Sequence, residues 1–336
     1  MKKLRFVFNK KCIILLLLVI VGFSISCGRS TVDKDGKSKV TVALDWYINP
    51  DHGPLLVAQA MGYFKENGVN ISFITPTETS APSQLVCAGN ADVALVYEPQ
   101  FIAQLAGGMP LDCAGTLINK ILCCVAVLKD SDMQKLFDLK GKTIGYSSDG
   151  TDHAILGAML EYSGLFNSSY GVKLKQVNLV NLQMNLSQAL LSKRVSAVYG
   201  MMRNVEPIQL EQQGVKTKLF YPEDYGVPMY SELLFVVKKT HTKDEKIINF
   251  LKSVKQGVDY INRNSEKSWN LIAGKFRDSL AMTPKMRRIN HDIWNATIKY
   301  FAPNPEVFNK KQFNVFARFL CKKGTISEDA LNQMLH

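Results

Sequence analysis

The chain is poor in the side chains that hold metals. It has five histidines and seven cysteines in 336 residues, with no CxxC pair and no zinc spacing. His52 has no second histidine or cysteine at ligand spacing, so no metal is expected there. A Walker loop and a nucleophile elbow are also absent, which sets aside P-loop phosphoryl transfer and α/β-hydrolase chemistry. No cluster of Lys and Arg is interleaved with aromatics, so nucleic acid is not an expected partner despite a net charge of +12. There is no tandem repeat and no low-complexity tract. What remains is a globular chain without an obvious reactive centre, for which no cofactor is expected.

Five of the twelve net charges come from Lys2, Lys3, Arg5, Lys10 and Lys11, which leaves +7 on the rest. That excess is spread along the chain and suits a solvated surface near an anionic membrane. Behind the basic MKKLRFVFNKK comes an apolar run, CIILLLLVIVGFSIS, and then Cys27. This is the order of a secretory signal. It resembles a bacterial lipoprotein signal, with Ser26 as the small residue before Cys27 and Ser24 where leucine is usual. The resemblance implies cleavage and lipidation at Cys27; the alternative is an uncleaved membrane anchor. Either places the body outside the cytoplasmic membrane, on a polar tether over 28–39. Cys87, Cys113, Cys123, Cys124 and Cys321 remain, an odd number whose spacing specifies no disulfide. All but Cys321 stand in apolar context, as small buried hydrophobes do.

From residue 40 the pattern alternates strand and helix. Strands are predicted over 40–44, 69–74, 91–96 and 111–117, with helices over 53–61, 83–88 and 99–106. The rhythm restarts at Leu139-Lys140-Gly141-Lys142-Thr143-Ile144-Gly145-Tyr146. It continues through a helix from His153 to Tyr162, a helix over 186–191 and strands over 195–199 and 233–237. Beyond about residue 243 it turns helical. Such alternation predicts parallel sheets covered on both faces. The expected architecture is α/β: two lobes with a ligand cleft and two hinge crossovers, near 129–137 and 228–233. Lobe one would be 40–130 with 232–336, and lobe two 131–231. Strand C-termini and helix N-termini would rim the cleft, where small polar ligands sit.

Five segments carry a more specific message: LDWYINPDHGPLLVAQAMGYFKENGVNISF, SQLVCAGNADVALVYEP, DLKGKTIGYSSDG, MMRNVEPIQLEQQG and YGVPMYSELLFVV. Over roughly 40–260 the chain resembles the solute-binding proteins of ABC importers for pyrimidine precursors of thiamine, a group related to eukaryotic thiamine-pyrimidine synthases. The resemblance implies a type II periplasmic-binding-protein fold and a monomer. It also implies partners in a permease and its ATPase, and a ligand such as hydroxymethylpyrimidine, formylaminopyrimidine or thiamine.

An aminopyrimidine is a flat ring with an exocyclic donor, so it needs an aromatic face and an acceptor. Trp46 can stack on it. Asn49 or Asp51 can bond the ring edge, although Asp51, ahead of Gly53-Pro54, equally suits a helix cap. His52 stands beside them. Tyr97 and Glu98 follow a strand and can stack and bind an amine. Ser147 through Gly150 open a helix, where backbone N–H groups suit a polar tail; in the related synthases that loop handles phosphate. The family pattern puts Asn204 and Glu206 at the site, with Glu206 the best partner for the amino edge. Tyr230 and Glu232 stand at the second crossover.

Two other readings stay open. The related synthases need a lysine for pyridoxal phosphate, a histidine donor and a Cys-rich segment. Val96 and Gln100 stand where the first two would be, and Cys123-Cys124 is not the third. Sulfonate-, taurine- or nitrate-binding proteins share the fold, but their oxyanion sites would be repelled by Glu98 and Glu206.

Overall fold

A computed structural model describes residues 36–76, 81–147, 151–165, 176–183 and 185–335. Cys27 and the signal segment lie outside the described residues, as does Gly150. In chain order the first half holds β1 (Ser38–Ala43), α1 (Gly53–Met61), β2 (Val69–Ile74), α2 (Ala81–Cys87), β3 (Val93–Val96), α3 (Glu98–Ala106) and β4 (Leu111–Ile118). Then come β5 (Cys123–Leu128), β6 (Thr143–Tyr146), α4 (Thr151–Tyr162), β7 (Asn178–Asn181), α5 (Leu186–Leu191), β8 (Ala197–Met202), α6 (Glu206–Glu211) and β9 (Thr217–Phe220). β10 (Leu233–Lys238) leads into α7 (Glu245–Arg263), α8 (Ser265–Lys275), α9 (Pro284–Thr297), α10 (Lys310–Lys322) and α11 (Glu328–Leu335).

The strands form two five-stranded sheets, ordered β2-β1-β3-β10-β4 and β7-β6-β8-β5-β9. Their inner strands read as unbroken apolar runs because both faces are covered: VALV in β3 and CCVAV in β5 are buried at every position. The sheets are mixed rather than parallel. β10 is antiparallel to β3 and β4, and β5 is antiparallel to β8 and β9. Each of these strands arrives from the opposite lobe, without the crossover helix that would make it parallel. β5 also corrects the expected lobe boundary. The segment 123–128, assigned to lobe one by the sequence, is hydrogen-bonded into the second sheet, so the first crossing lies between Ile118 and Cys123. The return lies between Phe220 and Leu233.

The helical C-terminal part packs on lobe one and reaches lobe two. α7 buries Ile247, Phe250, Leu251, Val254, Val258 and Ile261, a stripe at helical spacing. Its close approach to α1 requires Gly257, where a Cβ would stand 2.4 Å from the Pro54 carbonyl oxygen. α10 lays Phe316 against Tyr230 at a ring separation of 4.5 Å. Lys323, just past α10, pairs with Glu161 of α4. None of the described helices is long and apolar enough to cross a membrane.

Candidate binding cleft

The end of β1 opens into the loop 44–52. Asn49 caps the 3-10 turn Pro50–His52, its Oδ1 accepting from the Asp51 N–H at 2.7 Å. The helix cap considered for Asp51 is not made: α1 begins without a side-chain cap, and Asn49 caps the turn ahead of it. His52 is fully buried. Its Nδ1 accepts from the Asn49 N–H at 3.2 Å, which leaves Nε2 to donate to Asp45 Oδ1 at 3.0 Å. Asp45 Oδ2 accepts from the Tyr97 hydroxyl at 2.8 Å. Burial first, and then the Asp45 carboxylate, push the Tyr97 phenol well above its ordinary pKa and keep it a donor. The chain His52–Asp45–Tyr97 thus fixes the strand-end loop that presents Trp46. Replacing His52 with alanine leaves a cavity and a carboxylate short of a donor. About 2–4 kcal/mol of stability is expected to be lost, read as a lower melting temperature. An unchanged melting temperature would mean that the Asp45–His52 bond is not made.

Between the sheets lies a cavity of about 480 Å³, in the range of small-ligand sites. Lobe one supplies Asp45, Trp46, Tyr47, Asn49, Asp51, Tyr97 and Gln100 to its wall. Lobe two supplies Ser147, Thr151, Asp152, Gln183, Tyr199, Gly200 and Glu206, and the crossovers add Cys123, Tyr230 and Glu232. Gly200 has φ +110, and a Cβ there would come within 2.5 Å of Ser147 Oγ. A side chain at that position would displace Ser147 from the rim.

Five carboxylates line the cleft, and no Lys, Arg or His does so among the described residues. Burial pushes the Glu206 carboxyl up to about 7, against backbone N–H bonds that lower it. Its Oε2 accepts from the Met202 N–H at 2.8 Å. Burial likewise raises Glu232 to about 7, although its Oε2 accepts from Leu122 N at 2.6 Å and from Cys123 N at 3.2 Å. That carboxylate fastens one crossover to the other. Asp51 is raised to about 6, burial again being the largest cause. Asp152 sits in the first turn of α4 and lines the cleft; Ser147 Oγ donates to its Oδ2 at 3.3 Å. A carboxylate therefore already occupies the helix N-terminus expected to receive a polar tail, which disfavours an anion there.

The residues singled out from the sequence divide accordingly. Trp46, Asn49, Asp51, Tyr97, Ser147, Glu206, Tyr230 and Glu232 share the cleft wall. His52, Glu98 and Asn204 do not. His52 braces Asp45. Glu98 is 1% exposed, and its Oε2 accepts from the Ser231 N–H at 2.7 Å, tying α3 to the second crossover. Asn204 is 1% exposed and bonded to Asp51 and Thr297. Asp45, Gln100, Asp152 and Tyr199 were not anticipated. Asp45 and Tyr199 each lie within one residue of an expected strand end, and that is the signal that points to them.

Sequence and fold comparisons bear on the family and the fold. A family model described as "NMT1/THI5 like" matches residues 49–268. A Haemophilus influenzae relative named as a thiamine biosynthesis protein is 36% identical over 296 residues, covering 88% of this chain and 90% of its own. A formylaminopyrimidine-binding protein of Halalkalibacterium halodurans is 32% identical over 262 residues, 77% of either chain. A 4-amino-5-hydroxymethyl-2-methylpyrimidine phosphate synthase of Legionella pneumophila is 25% identical over 271 residues, 79% of this chain and 81% of its own. Among solved structures, the periplasmic aliphatic sulphonate binding protein SsuA of Escherichia coli matches with a TM-score of 0.67 at 13% identity, covering 88% of this chain and 96% of that one. The chain belongs to the NMT1/THI5-like family and has the two-lobed fold of periplasmic solute-binding proteins.

Proposed function

We propose that this protein is the solute-binding component of an ABC importer and captures an amino-substituted pyrimidine: hydroxymethylpyrimidine, its formylaminomethyl relative, or thiamine. One observation carries the reading. Aromatic rings and carboxylates wall the cleft, with no cation among the described lining residues. Trp46 and the tyrosines offer faces to a flat ring. Glu206 accepts from its amino group, and the negative field favours a neutral or cationic ligand. The formylaminopyrimidine-binding relative supports the same class.

The sulfonate reading is opposed by that charge, since an oxyanion would face several carboxylates without a counter-charge. The synthase reading is opposed by Val96, 3% exposed in β3, and by Gln100, which stand where the resemblance puts the cofactor lysine and the histidine. The lobes close on the solute about the two crossovers, and the closed form docks on a permease driven by its ATPase. The lipid on Cys27 keeps the protein, a monomer, at the outer face of the membrane.

Calorimetric titration of the purified protein with hydroxymethylpyrimidine, formylaminopyrimidine, thiamine and taurine tests this. Micromolar or tighter binding of a pyrimidine, with none of taurine, is expected. Taurine binding, or no heat from any pyrimidine, would overturn the reading.

A further inference from the structure

The two lobes are joined by more than their crossovers. Asn204 follows β8 in lobe two and is buried. Its amide nitrogen has two protons. One goes to Asp51 Oδ1 at 2.7 Å and the other to Thr297 Oγ1 at 2.7 Å. Asp51 stands in the 3-10 turn that enters α1, and Thr297 ends α9. Thr297 Oγ1 lies 2.8 Å from the Ile293 carbonyl and 3.1 Å from Asp51 Oδ1, so the three side chains close on one another. All three are buried, at 7% exposure or less.

Two details separate this cluster from ordinary packing. The Asn204 Oδ1 is buried without a partner, a cost that the amide bears only while its nitrogen is held by a carboxylate. Asp51, in turn, lines the cleft, and its bonds to Asn204 and Thr297 both fall on Oδ1. One oxygen of the carboxylate is committed to Asn204 of the opposite lobe, which leaves the other to meet a solute. Two residues on from Asn204, Glu206 lines the same cleft from the other side.

We propose that Asn204 is a clasp that holds the two lobes together even without a solute, and that Asp51 links the clasp to occupancy of the cleft. Asn204 is thus a positioning residue, which touches the ligand only through Asp51. The proposal rests on the cleft being the binding site, but not on which solute it takes. Release of a solute requires the three groups to part and to be rehydrated.

Small-angle X-ray scattering of the ligand-free protein tests the clasp with no ligand present, so its outcome is independent of the pyrimidine reading. At pH 8 the parent is expected to match the compact profile of this structure. Asn204→Asp sets a second carboxylate against Asp51, in a neighbourhood that already holds Asp45, His52, Glu206 and Glu232. Its radius of gyration should shift upward while circular dichroism stays that of a folded protein. The exchanged pair Asp51→Asn with Asn204→Asp restores one carboxylate and one amide and should return the compact value. Thr297→Val, which removes one of the two acceptors, should shift the radius the same way by less, and it decides the matter if Asn204→Asp does not fold. An expanded parent, a folded single variant as compact as the parent, or an exchanged pair that stays expanded would each overturn the proposal.

Discussion

Glu206→Gln is expected to weaken binding of an aminopyrimidine by roughly 10- to 150-fold, the loss of one charge-assisted hydrogen bond of about 1.5–3 kcal/mol. Glutamine has nearly the same shape, so the size of the effect follows from orientation. Glu206 Oε2 is committed to the Met202 N–H. In the variant that N–H draws the amide oxygen to itself and turns the NH₂ group toward the cleft. A donor then faces the ligand's donor, where the glutamate presented an acceptor. The backbone bond survives, so near pH 5 the melting temperature should change little; toward pH 8, where the parent carries a buried anion, the variant should melt higher. Trp46→Ala serves as the companion. Removing one face of a stacked ring costs roughly 1–3 kcal/mol, and Trp46 is only partly buried, so its loss should weaken binding more than it weakens the fold. Calorimetry on both variants reads the outcome. Pyrimidine affinity indifferent to both would remove the ring from between Trp46 and Glu206.

Much of the cleft was legible because parallel strands bring their C-terminal ends to one edge of a sheet. β1 delivers Trp46, β3 delivers Tyr97 and β6 delivers Ser147, and each stands just past a run whose strand character is local. α1 and β2 were legible to the residue for the same reason. β5 was not. CCVAVL is apolar throughout, and its sheet is decided by pairing with β8 and β9, some 75 to 95 positions later. Glu98 was misread for a related reason. It follows Tyr97 at a strand end near the cleft, a ligand-like context, whereas Glu232, expected at the second crossover, both lines the cleft and holds that crossover. Their partners are the backbone of Ser231, 133 positions away, and of Leu122, 110 positions away. No local pattern states that a glutamate will hold a hinge. Asn204 and Asp51, 153 positions apart, are a third case. The sequence therefore shows which residues reach the junction of the lobes, and only the fold separates those that face solute from those that face each other.

The second large effect concerns pH. Glu98 has a carboxyl raised to about 7 from an ordinary 4.5, chiefly by burial, with the Ser231 N–H pulling the other way. A group whose folded pKa is raised binds more protons folded than unfolded, so stability falls as pH rises. The penalty is absent below about 4.5, grows toward 7 and is constant above it, reaching about 3 kcal/mol at most at 1.36 kcal/mol per unit. The nearby Cys113 thiol, itself pushed well up by burial, contributes no charge in that window. Glu98→Gln keeps an oxygen for the Ser231 N–H but cannot ionise. The variant should melt near the parent at pH 5 and above it at pH 8, where the parent holds an anion with one oxygen unpartnered. Glu206, Glu232 and Asp51 titrate over the same range in both proteins, so the variant's own melting temperature still declines, less steeply. Because those three line the cleft and Glu98 does not, a bound amine should flatten the remaining slope and leave the Glu98 difference in place. Thermal melts of both proteins from pH 5 to 8, with and without formylaminopyrimidine, separate the two contributions. A gap between variant and parent that is the same at both ends would mean that Glu98 ionises in the ordinary carboxylate range and that its burial at the hinge carries no pH dependence.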